Sequence, residues 1–143
     1  VQTPIGLDLT RTAKAAARAF DDALGGAGGS LPVWLVLLSL RSGAAGTQRE
    51  LAEAVGITGA TLTHHLAAME RNGLVERRRD DTNRRVQRVA LTAEGAALFD
   101  RLRVAAVAHD ARLRTGLTAD EVHTLAGLLG RIRNNLTVDP PVM

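Results

Sequence analysis

Apolar residues recur at helical spacing along most of this chain, with one short stretch where the period shortens. From Leu7 to Leu24 the sequence is Ala-rich and has no breaker, which predicts a first helix. Gly25-Gly26-Ala27-Gly28-Gly29-Ser30 follows, and this glycine run predicts a flexible connector. Ser30 can cap a second helix from Leu31 to Arg41, with Pro32 in its first turn. That helix is apolar almost all round, so it is expected to be central and buried. After a loop ending at Gly46, Thr47 and Glu50 stand at capping-box spacing. Leu51 and Val55 mark a short helix that Gly56 ends. Only Ile57 and Thr58 separate it from a second pattern, Leu62, Leu66 and Met69, closed by Gly73. Two short helices joined by so tight a glycine-containing turn predict a helix-turn-helix.

Beyond Gly73 the period changes. Leu74 and Val75 lead into Glu76-Arg77-Arg78-Arg79, which reads as a strand. Asp80-Asp81-Thr82-Asn83 is rich in turn formers, and Val86 to Leu91 alternate partly between polar and apolar, as a returning strand does. The two form a β-hairpin, a wing beside the helix-turn-helix. Thr92 can cap a long helix from Ala93 to Leu113, and Thr118 with Glu121 repeats the capping-box spacing. A last helix carries Val122, Leu125, Leu128, Leu129, Ile132 and Leu136 before Pro140 and Pro141 close the chain. The fold class expected is mainly α with a small β-hairpin wing.

Composition narrows the chemistry. The 143 residues suit one domain, and with 2% aromatic residues the core must be Leu, Val, Ile and Ala. With no cysteine there is no disulfide and no thiolate metal site. No apolar run reaches the roughly 18 residues that span a bilayer, so no membrane partner is expected. The start lacks a signal-peptide pattern; beginning on Val1, the chain is expected to have lost its original terminus, and a cytoplasmic protein is the default. Net charge is only +3, yet Arg71, Arg77, Arg78, Arg79, Arg84, Arg85 and Arg88 fall in one short stretch, against Glu76, Asp80 and Asp81. A concentrated arginine patch on a near-neutral protein points to a localised anionic partner such as a phosphate backbone.

A helix-turn-helix uses its second helix to enter the major groove of DNA. At 100° per residue, Leu62, Leu66 and Met69 project inward. Ala60, His64, Ala67 and Arg71 project outward, flanked by Thr61, Thr63 and Ala68. Thr58 enters this surface from the turn. Thr and Ala methyls can meet a thymine methyl, and Thr or His can hydrogen-bond base edges or phosphates. No acid interrupts the face before Glu70. Thr47, Gln48 and Arg49 begin a helix whose amides can meet a phosphate, with Thr47 equally a plain cap. In the hairpin, Arg84 and Arg85 sit nearest the tip, while Arg77 and Arg79 share one strand face. These can reach phosphates or a narrow minor groove. Some are expected to pair with Asp80 or Asp81 instead.

The stretch from Thr47 to Gly95 resembles the winged-helix core of the MarR family of transcription regulators. That family's wing runs roughly R-x-x-D-P-x-D-R-R, then a strand ending L-T-x-x-G. Here it stands as Arg77, Asp80, Asp81, Asn83, Arg84 and Arg85, then Leu91, Thr92 and Gly95. Asp81 replaces the usual proline and Asn83 the usual second acid. The resemblance implies one domain over residues 1–143, with 31–92 the winged helix-turn-helix and 1–30 and 93–143 helical dimerisation parts. It implies a homodimer on pseudo-palindromic duplex DNA, often repressing. It also implies release by a small aromatic or lipophilic ligand in a cleft that Trp34 and Leu38 would line. The broad apolar stripe of the last helix independently favours the dimer.

Other readings have less behind them. His64 and His65 are adjacent, so they point about 100° apart and chelate one ion poorly. His109, Asp110 and His123 lack the i, i+4 histidine pair of a helical zinc site. Trp34 is a core residue on the plainer reading. There is no glycine-rich phosphate loop and no nucleophile elbow, so neither an enzyme nor a cofactor is expected. A winged helix serving protein contact predicts an apolar or acidic recognition face, which is missing here. An architectural DNA binder without an effector stays open.

Overall fold

The computed structural model describes residues 2–43 and 45–137. Pro140 and Pro141, expected to close the chain, lie outside the described residues. Six helices and one hairpin follow one another: α1 Ile5–Gly26, α2 Leu31–Arg41, α3 Gln48–Val55, α4 Gly59–Arg71, β1 Val75–Arg79, β2 Gln87–Leu91, α5 Ala93–Leu113 and α6 Ala119–Thr137. The helices match the expected ones within about two residues at each end. Val86 was expected in the returning strand but lies before it, because its N–H bonds Asn83 O within the turn.

The chain forms two compact units, one through His109 and one from Asp110 onward. In the first, α2 is the central element and packs on α1, α3, α4 and β2. Val36 and Leu37 are fully buried with Leu24, Leu51, Leu62, Leu66 and Leu102. Trp34 stacks on Phe99 with ring centres 5.3 Å apart, and Arg41 lies over the same Phe99 ring. Phe20 of α1 stacks on His109 of α5 at 4.8 Å. The few aromatic rings thus seal the seams of an otherwise aliphatic core.

The glycine run after α1 is a defined turn rather than the flexible connector expected. Gly25 and Gly26 stay in the helix. Gly28 takes a left-handed φ of 97°, and the N–H groups of Gly28 and Gly29 return to Gly25 O and Leu24 O, a Schellman stop. Ser30 then caps α2 by accepting from Val33 N–H.

In the hairpin, Val75 pairs with Leu91 and Arg79 with Gln87, antiparallel. Val75 and Val89 point into the core. A single bridge from Thr47 to Arg88, with Val89 N–H bonding Gly46 O, joins the start of α3 to the wing. Thr92 closes the hairpin onto α5: its hydroxyl donates to Gly73 O and accepts from Gly95 N–H. Gly95 lies against the strand backbone so closely that a Cβ there would stand 2.1 Å from Leu74 O.

In the second unit, Thr118 and Glu121 form the expected reciprocal cap of α6. No residue of α6 is buried within the chain. Leu125 and Leu128 are about half exposed and Leu136 is 79% exposed.

The Gly95 contact yields a first prediction. Gly95→Ala must shift backbone rather than a side-chain tip, so it should cost about 1–3 kcal/mol, the usual range for overpacking. Urea unfolding checks this, and an unchanged midpoint would contradict the close approach.

Candidate nucleic-acid interface

The turn between α3 and α4 exists because Gly56 adopts left-handed φ 76°, ψ 32° while its N–H returns to Ala52 O. Thr58 is extended and caps α4. Its Oγ1 accepts from Thr61 N–H at 3.2 Å and donates to Thr61 Oγ1 at 2.9 Å. Leu62, Leu66 and Met69 are buried and seat the helix. Ala60, Thr61, Thr63, His64 and Arg71 are exposed on the opposite side, His65 and Ala67 half-buried. The Thr63 hydroxyl is committed within the protein: it donates to Gly59 O and accepts from Gln48 Nε2 at 2.6 Å. Gln48, at the first position of α3, thereby ties the two helices together.

Thr47 and Glu50 form the capping box at the start of α3. The Thr47 hydroxyl first, then the Gly46 and Thr47 amides, hold the Glu50 carboxyl below its usual range, with Arg88 adding attraction. Arg49 pairs loosely with Glu53 at 3.7 Å, and both side chains are largely solvated. Such an exposed pair is weak, so Arg49 can turn to a phosphate at little cost.

In the wing, most arginines have partners. Arg77 donates through its backbone N–H and its guanidinium to Glu70 of α4, at 3.0 and 3.2 Å, and braces the hairpin against that helix. This bond holds the Glu70 carboxyl below its usual range. Arg78 and Arg88 face each other across the hairpin, an unfavourable like-charge pair relieved by Glu76 on one and Asp80 on the other. Arg79 donates to Arg84 O. Asp80 organises the tip. Its Oδ2 accepts from the Thr82 hydroxyl at 2.6 Å and from the Thr82 and Asn83 amides, while Oδ1 accepts from Arg88 Nε at 2.6 Å. Thr82 first and Arg88 second push the Asp80 carboxyl far below the ordinary range, and the Asp80 carboxylate in turn pushes the Arg88 guanidinium up. Asn83 accepts from Arg85 N–H, so this amide orders the turn in place of a second acid. Among the described residues, the guanidiniums of Arg71, Arg84 and Arg85 have no protein partner.

An open groove of about 600 Å³ brings α3, the turn and the wing together, lined by Arg49, Ala52, Glu53, Ile57, Gly59 and Arg85 among others. Arg49, the start of α4 and Arg85 therefore share one face. Of the residues singled out from sequence, Ala60, Thr61, His64, Arg71, Arg84 and Arg85 present free groups or methyls to solvent. Thr47, Thr58, Thr63 and Arg77 are held by bonds inside the protein. Trp34 is only 9% exposed against Phe99, while Leu38 is 39% exposed. Neither lines this groove. Among the described residues, no three His, Asp or Glu side chains could hold a metal ion.

The spacing along the chain does not give the Gln48–Thr63 bond, the Glu70–Arg77 pair or the specific partner of Arg88. Glu70 and Arg77 are separated by the Gly73 turn, so no helical spacing rule links them. Asp80 and Arg88 meet only once the hairpin register is known.

Two short helices in a glycine turn, an outward second helix and a two-stranded wing define a winged helix-turn-helix protein. Residues 30–86 match the family model of the MarR family. The PcaV transcriptional regulator from Streptomyces coelicolor is similar over 94% of this chain and 98% of its own, with 26% identity and TM-score 0.82. A variant MarR from E. coli, complexed with operator DNA, matches with 28% identity and TM-score 0.80, covering 90% of this chain and 93% of its own. The transcriptional repressor CouR, bound to a 23-mer DNA duplex, matches with 28% identity and TM-score 0.80 over 91% of this chain and 92% of its own.

The wing network gives a second prediction. The Asp80 carboxyl is stabilised as the anion in the folded protein, so its contribution is complete above its ordinary value of 3.8 and is lost as pH falls through its lowered folded value. Arg88→Ala should raise that folded value yet leave it below 3.8, because the Thr82 and Asn83 bonds remain. A carboxyl NMR titration reads both; an ordinary value in the unaltered protein would contradict the network.

Proposed function

We propose that this protein is a sequence-specific double-stranded DNA-binding transcription regulator. In this reading it works as a homodimer on a pseudo-palindromic operator, in the cytoplasm, as a repressor released by a small ligand. The observation that carries the reading is the surface shared by the outward face of α4, Arg49 and the two unpaired wing arginines. That surface has the shape and charge to meet a major groove and its flanking phosphates. The relatives bound to operator DNA and to a DNA duplex support it. Likeness to a repressor supports the direction of regulation.

Each copy would dock α4 in a major groove, with a second copy about 10 bp away. The two-fold partner is favoured by apolar side chains left exposed on α1, α5 and α6: Ile5 73%, Val104 72%, Val107 63% and Leu136 79%. Covering such side chains with a second copy would remove apolar area from water. No single described helix is long and apolar enough to cross a membrane. Release would follow if a ligand stabilises a dimer whose two α4 helices are mis-spaced for successive grooves.

The test is binding to a promoter-derived duplex pool against scrambled duplex across a salt series. Selective, salt-sensitive binding is expected. Salt-sensitive binding without selectivity would instead mean an architectural role, and a well-folded dimer that binds no duplex at low salt would end the DNA reading. Within that assay, Arg84→Ala and Arg85→Ala should each weaken binding to all duplexes alike. Each should lower the slope of log affinity against log salt by about 1. An unchanged slope would remove the wing tip from the interface. Sedimentation equilibrium should give a dimer, and a monomer at micromolar concentration would contradict the two-fold arrangement.

A further inference from the structure

The polar groups on the face of α4 are not equivalent. Thr58 spends its hydroxyl on Thr61, both as acceptor from the Thr61 amide and as donor to the Thr61 hydroxyl. Thr63 donates to Gly59 O and accepts from Gln48. Arg71 stands in the last turn, whereas a recognition helix contacts base edges with its N-terminal residues. His64 is different. It is exposed in the sixth position of α4, and its ring meets only the edge of His65, centres 6.0 Å apart. No hydrogen bond in the described structure occupies either ring nitrogen. Around it, Ala60 is a bare methyl, and Thr61 shows a methyl beside a hydroxyl that already accepts from Thr58.

We propose that His64 is the specificity-determining residue of this interface and reads a guanine in each half-site; the proposal rests on the DNA-binding reading above. An imidazole carries at least one N–H donor in either protonation state. In the major groove guanine offers two neighbouring acceptors, N7 and O6, and no donor on that edge. It therefore accepts an imidazole N–H whichever nitrogen bears the proton. Adenine sets a donor beside its N7, which suits an amide with one donor and one acceptor better than a lone N–H. Ala60 and the Thr61 methyl add contacts suited to thymine methyls next to that guanine. Gln48 and Thr58 act as positioning residues: Gln48 ties α4 to α3 through Thr63 and Thr58 caps its start, and these bonds engage the threonine hydroxyls while leaving the His64 ring free to read.

The experiment is selection of preferred half-sites from a randomised duplex library by the full chain and by His64→Ala, with affinities then measured on the selected and scrambled duplexes. The unaltered protein should prefer G·C at one position per half-site by roughly 5- to 150-fold, the usual cost of one mismatched base pair. His64→Ala should lose the preference at that position only. Its far-ultraviolet circular dichroism and thermal midpoint should match those of the unaltered protein, which reports that the variant is folded. Replacing that guanine by 7-deazaguanine should weaken the unaltered protein and leave His64→Ala unmoved. A variant that keeps the full preference, or that loses preference at a position other than G·C, overturns the proposal while leaving the DNA reading intact. An unaltered protein with no preference at any position overturns both this proposal and the sequence-specific reading, and leaves the architectural one.

Discussion

Burial of Leu62, Leu66 and Met69 is the contact on which the rest of the interface depends. These three side chains occupy one face of a thirteen-residue helix, so the opposite face has to meet solvent. They share one core cluster with Val36 and Leu37 of α2 and Leu51 of α3, which are themselves fully buried. The orientation of α4 is thus held by close-packed aliphatic contacts, which respond to a change of even one methylene. On that seat the polar bonds make finer adjustments. Gln48 to Thr63 sets α4 against α3, and Glu70 to Arg77 sets the wing against α4.

Charge is distributed by the same economy. The arginine-rich stretch looks uniform as a string, but the fold sorts it. Arg77, Arg78 and Arg88 each have a carboxylate, and Arg79 holds the tip through a carbonyl. What remains for an outside anion is Arg71, Arg84 and Arg85. Asp80 is consequently scaffolding: it gathers two amides, a hydroxyl and a guanidinium around one carboxylate, in the turn that carries Arg84 and Arg85.

Most of the fold was legible in the sequence because local rules governed it. Ser30, Thr47, Thr92 and Thr118 are caps, and the 3.6-residue spacing of Leu62, Leu66 and Met69 gave the face of α4 directly. Legibility ended where residues meet through tertiary register. Nothing in the spacing of Gln48 and Thr63, fifteen residues apart across a turn, announces a 2.6 Å bond. The glycine run after α1 misled for a related reason. Composition signals flexibility, while the Schellman stop at Gly28 and the packing of Gly29 against Leu102 depend on the backbone and on a residue far along the chain. A sequence shows the donors of Thr63 and Arg77 without their partners, which the fold supplies as Gly59 O and Gln48 for the one and Glu70 for the other.

The central claim is that the surface set by this burial is the one that meets duplex DNA. Amide hydrogen exchange, compared between the free protein and the protein saturated with its selected duplex, tests it most directly. The account predicts new protection concentrated at the start of α3, in the first half of α4 and at the wing tip around Arg84 and Arg85, with the α2 core unchanged because it is already protected. Protection confined to α1 or α6, with α4 and the wing unaltered, would contradict it.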